Sequence, residues 1–440
     1  MKTVLIALKN LNRQKRRTFL LGGAIAFGIM VVSLINGFTG SFVENVRENF
    51  SQLLAGHIFV EGVEKTAEGT ELSIIRDDTV LLETLAEIDV PVRFVTKRSQ
   101  FNGSIIFQGE QVRQNITGIN WSEEEFIRER LVLAEGSFEN LLERNQAGNR
   151  DGIIISQEIA DRLNVQLGER VIVRLQTVTG QQNVGDFVVA AISYDPGIFG
   201  AISAYADLAY VNELLTLGPE EYNTLGILLE DIERIDEGVQ EYYNALQGRV
   251  ELFERTTTEE GVNPVQALFE QADTEQWDGT RYRVYTLNDA LSEMQQIVFV
   301  LNTTGFVILL VLLAIIMVGI TNTFRMIMYE RIKEIGTMRA LGMQKSGVRR
   351  LFLLEAFFLA LGGVILGFAV AGVVMAIISS INLGVDSPLY LLLKNGRLTF
   401  KLLPWQMVMN VSVVALLTVL AAFFPSNKAA NMKPVDALRA

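Results

Sequence analysis

The stretch of sequence that decides the fold runs from Met294 to Phe324 and reads MQQIVFVLNTTGFVILLVLLAIIMVGITNTF, 31 residues without a charged side chain. A helix that crosses the hydrocarbon core of a bilayer needs about 20 apolar residues, because each residue adds about 1.5 Å to a path of about 30 Å. Three further uncharged stretches, 18–43, 356–385 and 402–427, are also long enough. The sequence therefore predicts four membrane-spanning helices and excludes both a purely soluble protein and a disordered chain.

The long segment between the first two of these stretches has the opposite character. Residues 42–295 hold 45 acidic and 19 basic side chains, a net charge of −26, whereas the rest of the chain has a net charge of +14. Local patterns indicate a mixed α+β domain, which we expect to form two lobes. Gly152–Ser156 is typical of a buried strand, and Ser156 can cap a helix over Gln157–Leu163. Glu123–Leu133 is also expected to be helical.

Basic residues cluster before the first span, between the second and third, and after the fourth. Because an excess of Lys and Arg marks the cytoplasmic side, we expect both termini and the second loop in the cytoplasm and the acidic domain outside. This describes a multi-pass membrane protein. The first span also resembles a signal peptide, with Ala24 and Ala26 in the pattern of a cleavage site. Its apolar run continues to Val43, so we favour an uncleaved signal anchor.

The sequence lacks the residues on which most enzyme chemistries depend. It has no cysteine, and His57 is its only histidine, so thiolate metal sites, a zinc site and a Ser-His-Asp triad are excluded within this chain. No glycine is followed by lysine, so the chain has no phosphate-binding P-loop. We predict no catalytic residue, no metal site, no nucleic-acid partner, and a structural role for His57. The spans carry no central charge, which argues against an ion channel filter, a proton relay or an ion-coupled pump, because these usually bury charge.

Small residues recur every four positions in the third span, at Gly363, Gly367 and Ala371. This spacing lets two helices approach closely, although glycine is common in membrane helices generally. We expect tight helix packing at these residues, within the chain or across a dimer.

The loop between the second and third spans carries the most informative pattern. From Tyr329 to Gly342 it reads YERIKEIGTMRALG, and helical spacing places Ile332, Ile335 and Met338 along one side. The pattern is typical of a helix on the membrane surface, or of a rigid lever that docks on a soluble partner.

This loop closely resembles the E-R-x-x-E-I-G-x-x-R-A-L-G signature of ABC transporter permeases of the MacB/FtsX type. Residues 7–18 resemble the amphipathic N-terminal helix of that family, and residues 428–439 resemble its C-terminal P-V-x-A-L-R tail. Looser matches at 36–38, 56–58 and 198–211 resemble the lipoprotein-releasing transmembrane subunits of the LolC/LolE type. The loop itself is closer to the efflux type than to the releasing type, which often reads E-K-x-x-D-I.

The resemblance implies a permease subunit that is not itself an enzyme. It implies a multi-pass protein of the cell inner membrane with four membrane helices. It also implies an extracytoplasmic α+β domain of two lobes, inserted between the first and second helix and located in the periplasm. Its partners would be a second permease subunit, identical or paralogous, and a dimer of cytoplasmic ABC ATPases, which would hold ATP and Mg²⁺ while this chain holds no cofactor. On matching positions, the ATPase-coupling residues are Glu330, Arg331, Glu334, Ile335, Gly336, Arg339 and Gly342.

With this resemblance, the sequence predicts the following divisions of the chain. They are a cytoplasmic amphipathic helix (1–17), the first span (18–43), the periplasmic domain (44–293), the second span (294–324), a cytoplasmic coupling loop (325–352), the third span (353–383), a short periplasmic loop (384–402), the fourth span (403–425) and a cytoplasmic tail (426–440).

For the cargo, the resemblance favours lipoproteins extracted from the inner membrane. Their acyl chains would enter between the first two spans, against Phe27, Met30, Leu34 and Phe38 of the first and Val298, Leu301 and Phe306 of the second. The same residues are typical of any lipid-facing or packed helix. The alternatives are a MacB-type efflux permease for peptides or amphiphiles, and an FtsX-type regulator of a cell-wall hydrolase. A periplasmic carrier is a further candidate partner, although the hairpin at 179–182 lacks the longer, proline-bearing hook with which one releasing subunit docks its carrier.

Overall fold

The computed structural model describes residues 15–65, 71–194, 204–255, 263–277, 279–384, 387, 393–394 and 396–432. Most of the predicted helix at 1–17, half of the tail at 426–440 and part of the match at 198–211 therefore lie outside the described residues. The chain divides into two compact units. The helical unit comprises Met1–Val43, Ile297–Asn382 and Arg397–Ala440, and the sheet unit comprises Glu44–Gln296 and Leu383–Gly396.

The helices and strands of the described residues, each numbered in chain order, have the following bounds. The helices are α1 (Lys15–Leu53), α2 (Thr79–Leu85), α3 (Glu125–Arg130), α4 (Phe138–Gln146), α5 (Gln157–Leu163), α6 (Leu208–Leu215), α7 (Ile235–Leu246), α8 (Pro264–Thr274), α9 (Leu287–Ala290), α10 (Ser292–Glu330), α11 (Ile332–Ala340), α12 (Lys345–Ser380) and α13 (Pro404–Ala430). The strands are β1 (Ile58–Lys65), β2 (Glu71–Ser73), β3 (Val92–Phe107), β4 (Glu110–Ile119), β5 (Leu133–Gly136), β6 (Gly152–Ser156), β7 (Arg170–Gln176), β8 (Gln182–Ser193), β9 (Ala204–Asp207), β10 (Thr224–Leu229), β11 (Glu251–Leu252) and β12 (Thr280–Thr286).

Among the described residues, four helices are long and apolar enough to cross a membrane: α1, α10, α12 and α13. α1 and α10 contain the uncharged stretches at 18–43 and 294–324 and continue beyond both ends of each, whereas α12 ends at Ser380, before the stretch at 356–385 does, and α13 begins at Pro404, after the stretch at 402–427 does. The predicted first span stops at Val43, for example, while α1 continues to Leu53. Hydropathy marks the part of a helix that suits a bilayer, whereas the helix itself ends where its backbone hydrogen bonds stop.

The helical unit has an apolar core to which all four long helices contribute. Its buried residues include Ile29 of α1, Leu309 of α10, Phe352 of α12 and Val414 of α13. The short helix α11 adds Ile335 to the same core, so it is packed into the unit and does not lie on it as an independent segment.

Within the described part of the sheet unit, twelve strands form one sheet, with the order β11-β12-β1-β10-β3-β4-β9-β6-β8-β5 along the main path. β3 joins two parts of this sheet, because its first half pairs with β10 and its second half pairs with β4 and β7. On β7, Val171, Val173 and Leu175 point into an apolar core while the residues between them are exposed, as expected for a strand with one wet face.

The local predictions for this unit are confirmed except at one helix. Gly152–Ser156 is a fully buried strand, and the Ser156 hydroxyl accepts a hydrogen bond from Ile159 N at 3.4 Å at the start of α5. The helix predicted over Glu123–Leu133 is wrong at its C-terminal end, since α3 stops at Arg130. Leu133 instead pairs with Ser193 of β8, so a sheet contact that is remote in sequence overrides the local helical preference.

The single histidine has the structural role that the sequence predicted. His57 is 6% exposed, and its Nδ1 accepts a hydrogen bond from Leu229 N at 2.9 Å. Burial, with a smaller contribution from Arg47 and Arg93, lowers the pKa of His57 from 6.5 to about 4. The imidazole is therefore neutral at neutral pH and fastens β1 to β10.

Candidate functional site

The segment that the sequence singled out forms a short helix with a defined start and end. The helical conformation is interrupted at Arg331, between α10 and α11, where φ is −102° and ψ is 15°. At the other end Met343 N donates to Met338 O at 3.0 Å and Gly342 N donates to Arg339 O at 3.1 Å. This hydrogen-bond pair is a Schellman motif, and it places Gly342 at φ +97°, which favours glycine because there is no Cβ to clash.

The start of α11 is tied to α12 by an ion pair that is shielded from water. Arg331 Nη1 lies 3.2 Å from Glu355 Oε1, and the side chain of Glu355 is only 5% exposed. Arg331 Nε also donates to Glu334 Oε2 at 2.8 Å, and its guanidinium lies over the ring of Phe352 with its carbon 5.7 Å from the centroid. Removing one partner of a buried pair leaves an uncompensated charge, so this contact fixes α11 against α12.

The middle and end of α11 are held by α13 and the apolar core. Ile335 is 2% exposed, and Gly336 is buried beside it. Arg339 Nη1 donates to the carbonyl oxygen of Ala430, at the last residue of α13, at 3.2 Å. The structure thus places Arg331, Ile335, Gly336 and Arg339 against the helices of their own chain.

The other side of α11, which we call the open face, is exposed. It comprises Lys333 and Thr337 of α11 together with Glu330, which ends α10, and Leu341, which follows α11 and is 89% exposed. Of the seven residues predicted to couple to an ATPase, Glu330 lies on this face, Glu334 is half-buried beside Arg331, and Gly342 ends the helix. An apolar side chain this exposed on a helix that is otherwise well packed is a candidate contact for another protein.

Sequence reasoning missed three of the four residues of the open face, namely Lys333, Thr337 and Leu341. The signal that could have found them is the apolar stripe through Ile332 and Ile335, because residues on the opposite side of such a helix face away from the core. An apolar groove lies on the side of α11 that carries Ile332 and Ile335. It is lined by Arg325, Met328, Tyr329, Ile332, Ile335, Pro425, Lys428, Ala429 and Met432.

The small residues of the third span lie at a close helix crossing within the chain. A Cβ built on Gly367 would lie 2.7 Å from the carbonyl oxygen of Ala26, and one built on Gly363 would lie 2.9 Å from that of Gly22. Ala371 is fully buried further along α12. The backbones of α1 and α12 therefore approach each other directly at the two glycines.

The residues predicted to line a cargo cavity do not share one environment. Phe27 is 56% exposed and Leu301 is 39% exposed, whereas Val298 is 9% exposed. The remaining four are half-buried: Met30, Leu34, Phe38 and Phe306. Their part in cargo binding stays a prediction.

Other residues form the contact between α1 and α10. The Thr39 hydroxyl donates to Asn302 Oδ1 at 2.7 Å, and Gly305 leaves space for Ile35, whose Cγ2 would lie 3.1 Å from a Cβ at that glycine. Polar residues inside apolar stretches are the sequence signal that could have identified this contact, because membrane helices associate through such hydrogen bonds and small residues.

Part of the matched segment at 36–38 also has a packing role. Lys401 N donates to the carbonyl oxygen of Gly37 at 2.8 Å, and Gly40 leaves room for the carbonyl group of Lys401. The segment before α13 is thereby fastened to α1.

Two family profiles match the chain. The profile of the MacB-like periplasmic core domain covers residues 18–242, and the FtsX-like permease C-terminal profile covers residues 306–434. The first of these alone spans half of the chain. The α1–α12 crossing lies partly in each profile, and the open face of α11 lies in the second.

Individual relatives are distant and match only part of the chain. An uncharacterized ABC transporter permease of Methanocaldococcus jannaschii is 24% identical over 240 residues, which are 52% of this chain and 57% of the relative. The macrolide export ATP-binding/permease protein MacB of Rhodopirellula baltica is 27% identical over 158 residues, which are 36% of this chain and 21% of the relative. The chain thus spans between 21% and 57% of the length of these two relatives. Among solved structures, one match is to the periplasmic region of MacB from Actinobacillus actinomycetemcomitans. The matched part is 55% of our chain and 92% of the MacB chain, with 11% identity and a TM-score of 0.28.

Proposed function

Because the chain belongs to the family of MacB/FtsX-type ABC transporter permeases, we propose that it is the membrane subunit through which a separate ATPase moves the sheet unit. The sequence has no P-loop, so ATP and Mg²⁺ would be held by the partner chain. The observation that carries this proposal is α11, a helix fixed by buried contacts on one side and open on the other.

The path of the mechanical signal follows from these contacts. A partner that closes on ATP would press on Leu341 and its neighbours on the open face. The Arg331–Glu355 pair and the Arg339 hydrogen bond would pass the displacement to α12 and α13. The close crossing at Gly367 would pass it from α12 to α1. Since packed helices shift as rigid elements, a displacement at α11 would not be absorbed locally.

The docking surface can be tested by charge reversal on the open face. The full chain is purified gently from its own membrane, and co-purifying ABC ATPase is quantified by mass spectrometry and by ATP hydrolysis. We expect Lys333→Glu combined with Leu341→Glu to lower the yield of ATPase at least tenfold. Arg162→Glu, at an exposed position of the sheet unit, is the matched control and should leave the yield unchanged. Wild-type yield from the double variant would show that the open face does not bind the ATPase.

The orientation is part of the proposal, with both termini and α11 in the cytoplasm and the sheet unit in the periplasm. The absence of cysteine from the sequence makes this easy to test, because a single introduced thiol can be labelled without background. A maleimide that cannot cross membranes should label Arg162→Cys in intact spheroplasts and label Lys333→Cys only after permeabilisation. The reverse pattern would invert the assignment.

The cargo that we propose first is lipoprotein of the inner membrane. The support is the set of looser sequence matches at 36–38, 56–58 and 198–211. Native mass spectrometry of the complex after ATP depletion tests it, since triacylated protein bound beside the permease and an ATPase is the expected result. A second permease subunit and a periplasmic carrier would be identified in the same spectra.

A second candidate is export of peptides or amphiphiles, and the name of the MacB relative favours it, since that protein is a macrolide exporter. In that case the purified complex would contain an adaptor protein and no lipoprotein. A complex that contains a cell-wall hydrolase, and neither an adaptor protein nor a lipoprotein, would indicate a regulator of the FtsX type.

A further inference from the structure

The sheet unit contains a cavity of about 590 Å³ that the preceding argument does not use. Its lining residues come from strands β1, β3, β4, β10 and β12, from α8, and from the ends of α1, α9 and α10. This volume lies within the range of about 300–1,000 Å³ that is typical of ligand-binding sites.

The polar part of the lining consists mainly of uncharged amides and hydroxyls. Carboxamides come from Gln100, Asn115, Asn263 and Gln266, and Thr117 adds a hydroxyl. A carboxamide offers both a donor and an acceptor, so it can pair with another amide in either direction. Asn115 Oδ1 is buried and accepts no hydrogen bond from the protein, which costs about 1–3 kcal/mol unless a donor reaches it.

The one arginine of the lining is already neutralised. Arg98 Nε donates to Glu124 Oε2 at 2.9 Å, and Arg98 Nη1 donates to the carbonyl oxygen of Leu53 at 2.6 Å. Arg98 is 6% exposed and Glu124 is 2% exposed, so the pair is shielded from solvent and ions. The carboxylate of the lining, Glu293, accepts from Asn263 Nδ2 at 3.3 Å. An anionic lipid headgroup would therefore find no uncommitted cation among these residues.

The apolar part of the lining offers flat aromatic surface. The rings of Phe59 and Tyr285 are stacked with their centroids 5.3 Å apart, and Phe269 is 46% exposed. Val265 adds an aliphatic group beside Phe269 on α8. Aromatic and aliphatic surface beside amides is suited to a peptide, whose backbone presents amides and whose side chains present apolar groups.

We propose that this cavity binds an uncharged polypeptide segment of the transported cargo. The inference rests on the proposed function, because it names the chemical class that the permease would take up. Asn115 and Gln266 would hydrogen-bond the backbone of the segment, and Phe269 and Val265 would pack against an apolar side chain. An anionic headgroup is disfavoured because the Arg98–Glu124 pair leaves the lining without a free positive charge.

Photocrosslinking of the full chain in detergent, without the ATPase, tests the proposal. The probe is an uncharged tetrapeptide with an acetylated N-terminus, an amidated C-terminus and one benzophenone side chain. We expect label in residues 263–277, displaced by the unlabelled tetrapeptide and not by phosphatidylglycerol. No label in this segment, or equal displacement by the lipid, would overturn the peptide assignment.

Two test variants, Val265→Trp and Asn115→Leu, and one control variant, Asp273→Trp, sharpen the test. Val265→Trp fills the cavity and should lower labelling at least fivefold, whereas Asp273→Trp, on the same helix but outside the lining, should leave it unchanged. Asn115→Leu removes the amide while keeping the bulk and should weaken binding about tenfold, the equivalent of about 1.4 kcal/mol. Unchanged labelling of both variants, at wild-type elution volume, would remove the cavity as the site.

Failure of this inference is distinguishable from failure of the proposed function. Lys333→Glu with Leu341→Glu should still be labelled normally, because binding of the tetrapeptide does not require the ATPase. Labelling without any ATPase co-purification in wild type would uphold the cavity and reject the proposed coupling. ATPase co-purification without labelling would uphold the proposed coupling and reject the cavity as a peptide site.

Discussion

The substitution Gly367→Ala adds a single methyl group at the closest approach of α1 and α12. The new carbon would lie 2.7 Å from the carbonyl oxygen of Ala26 and 2.8 Å from Cβ of Ile29, and Cβ atoms in proteins essentially never come closer than 3.0 Å to a neighbour. Neither neighbour can rotate away, since one is backbone and the other is fixed to it. The two helices must therefore separate.

The size of the effect follows from this geometry. Restoring an ordinary contact of 3.4 Å from 2.7 Å requires a separation of about 0.7 Å. A radial gap of about 0.5–1 Å forfeits a quarter to a half of the dispersion energy of each contact along the crossing. Overpacking a well-packed core typically costs about 1–3 kcal/mol. We expect Gly367→Ala to lower the free energy of unfolding by about 2 kcal/mol, with Gly363→Ala similar.

The same helix supplies matched controls. Gly362 and Gly372 have nothing within 4 Å of an added Cβ, so their alanine variants should be neutral or stabilised by up to about 1 kcal/mol through better helix propensity. Unfolding of each full-length variant in mixed detergent micelles, followed by circular dichroism, measures the difference. If Gly367→Ala unfolds at the same denaturant concentration as Gly362→Ala, the close crossing of α1 and α12 is refuted.

Three further predictions use the same unfolding assay. His57 is buried and neutral, so its contribution to the free energy of unfolding is complete above pH 6.5 and is lost as the pH falls toward 4. The loss should reach about 2 kcal/mol at pH 5, and His57→Asn should remove this part of the pH dependence. Glu355→Gln should destabilise by about 2 kcal/mol because it leaves Arg331 without its buried partner, and Glu355→Leu with Arg331→Met should recover most of the loss. Ser156→Ala should cost about 1 kcal/mol and speed amide exchange at the start of α5, whereas Gln157→Ala should change neither. The first prediction is contradicted if wild type and His57→Asn lose stability equally as the pH falls. The second is contradicted if Glu355→Gln is as stable as wild type, and the third if Ser156→Ala leaves amide exchange at α5 unchanged.

The sequence predicted the membrane helices well because their signal is local. Thirty-one consecutive uncharged residues can only be accommodated in a bilayer or a large core, whatever the rest of the chain does. The N-cap at Ser156 was predictable for the same reason, since the capping hydroxyl and the helix that it caps are neighbours along the chain. At Leu133 local preference failed, because the partner strand lies sixty residues away along the chain.

The open face of α11 shows why a motif alone did not define the site. The letters of the family signature include Arg331, Ile335 and Arg339, and the structure gives each of them a partner within the chain. Motif residues of this kind build the helix and fix it in place. Of the accessible residues, Leu341 is a letter of the signature and Lys333 is not, so the signature does not separate exposed positions from packed ones. Both were recognised as accessible only once the packed side of the helix was known.

What the sequence determined by itself was the division into four apolar helices and an acidic α+β unit, and the lack of any ATP-binding loop. These follow from composition and from interactions between residues that are close along the chain. What only the tertiary structure decided was which side of α11 is open, where Gly363 and Gly367 find their partner, and that Arg98 is neutralised inside a cavity. Each of these depends on contacts between residues that are distant in sequence. Such contacts bury one side of a helix and bring opposite charges together, and neither can be read from neighbouring residues.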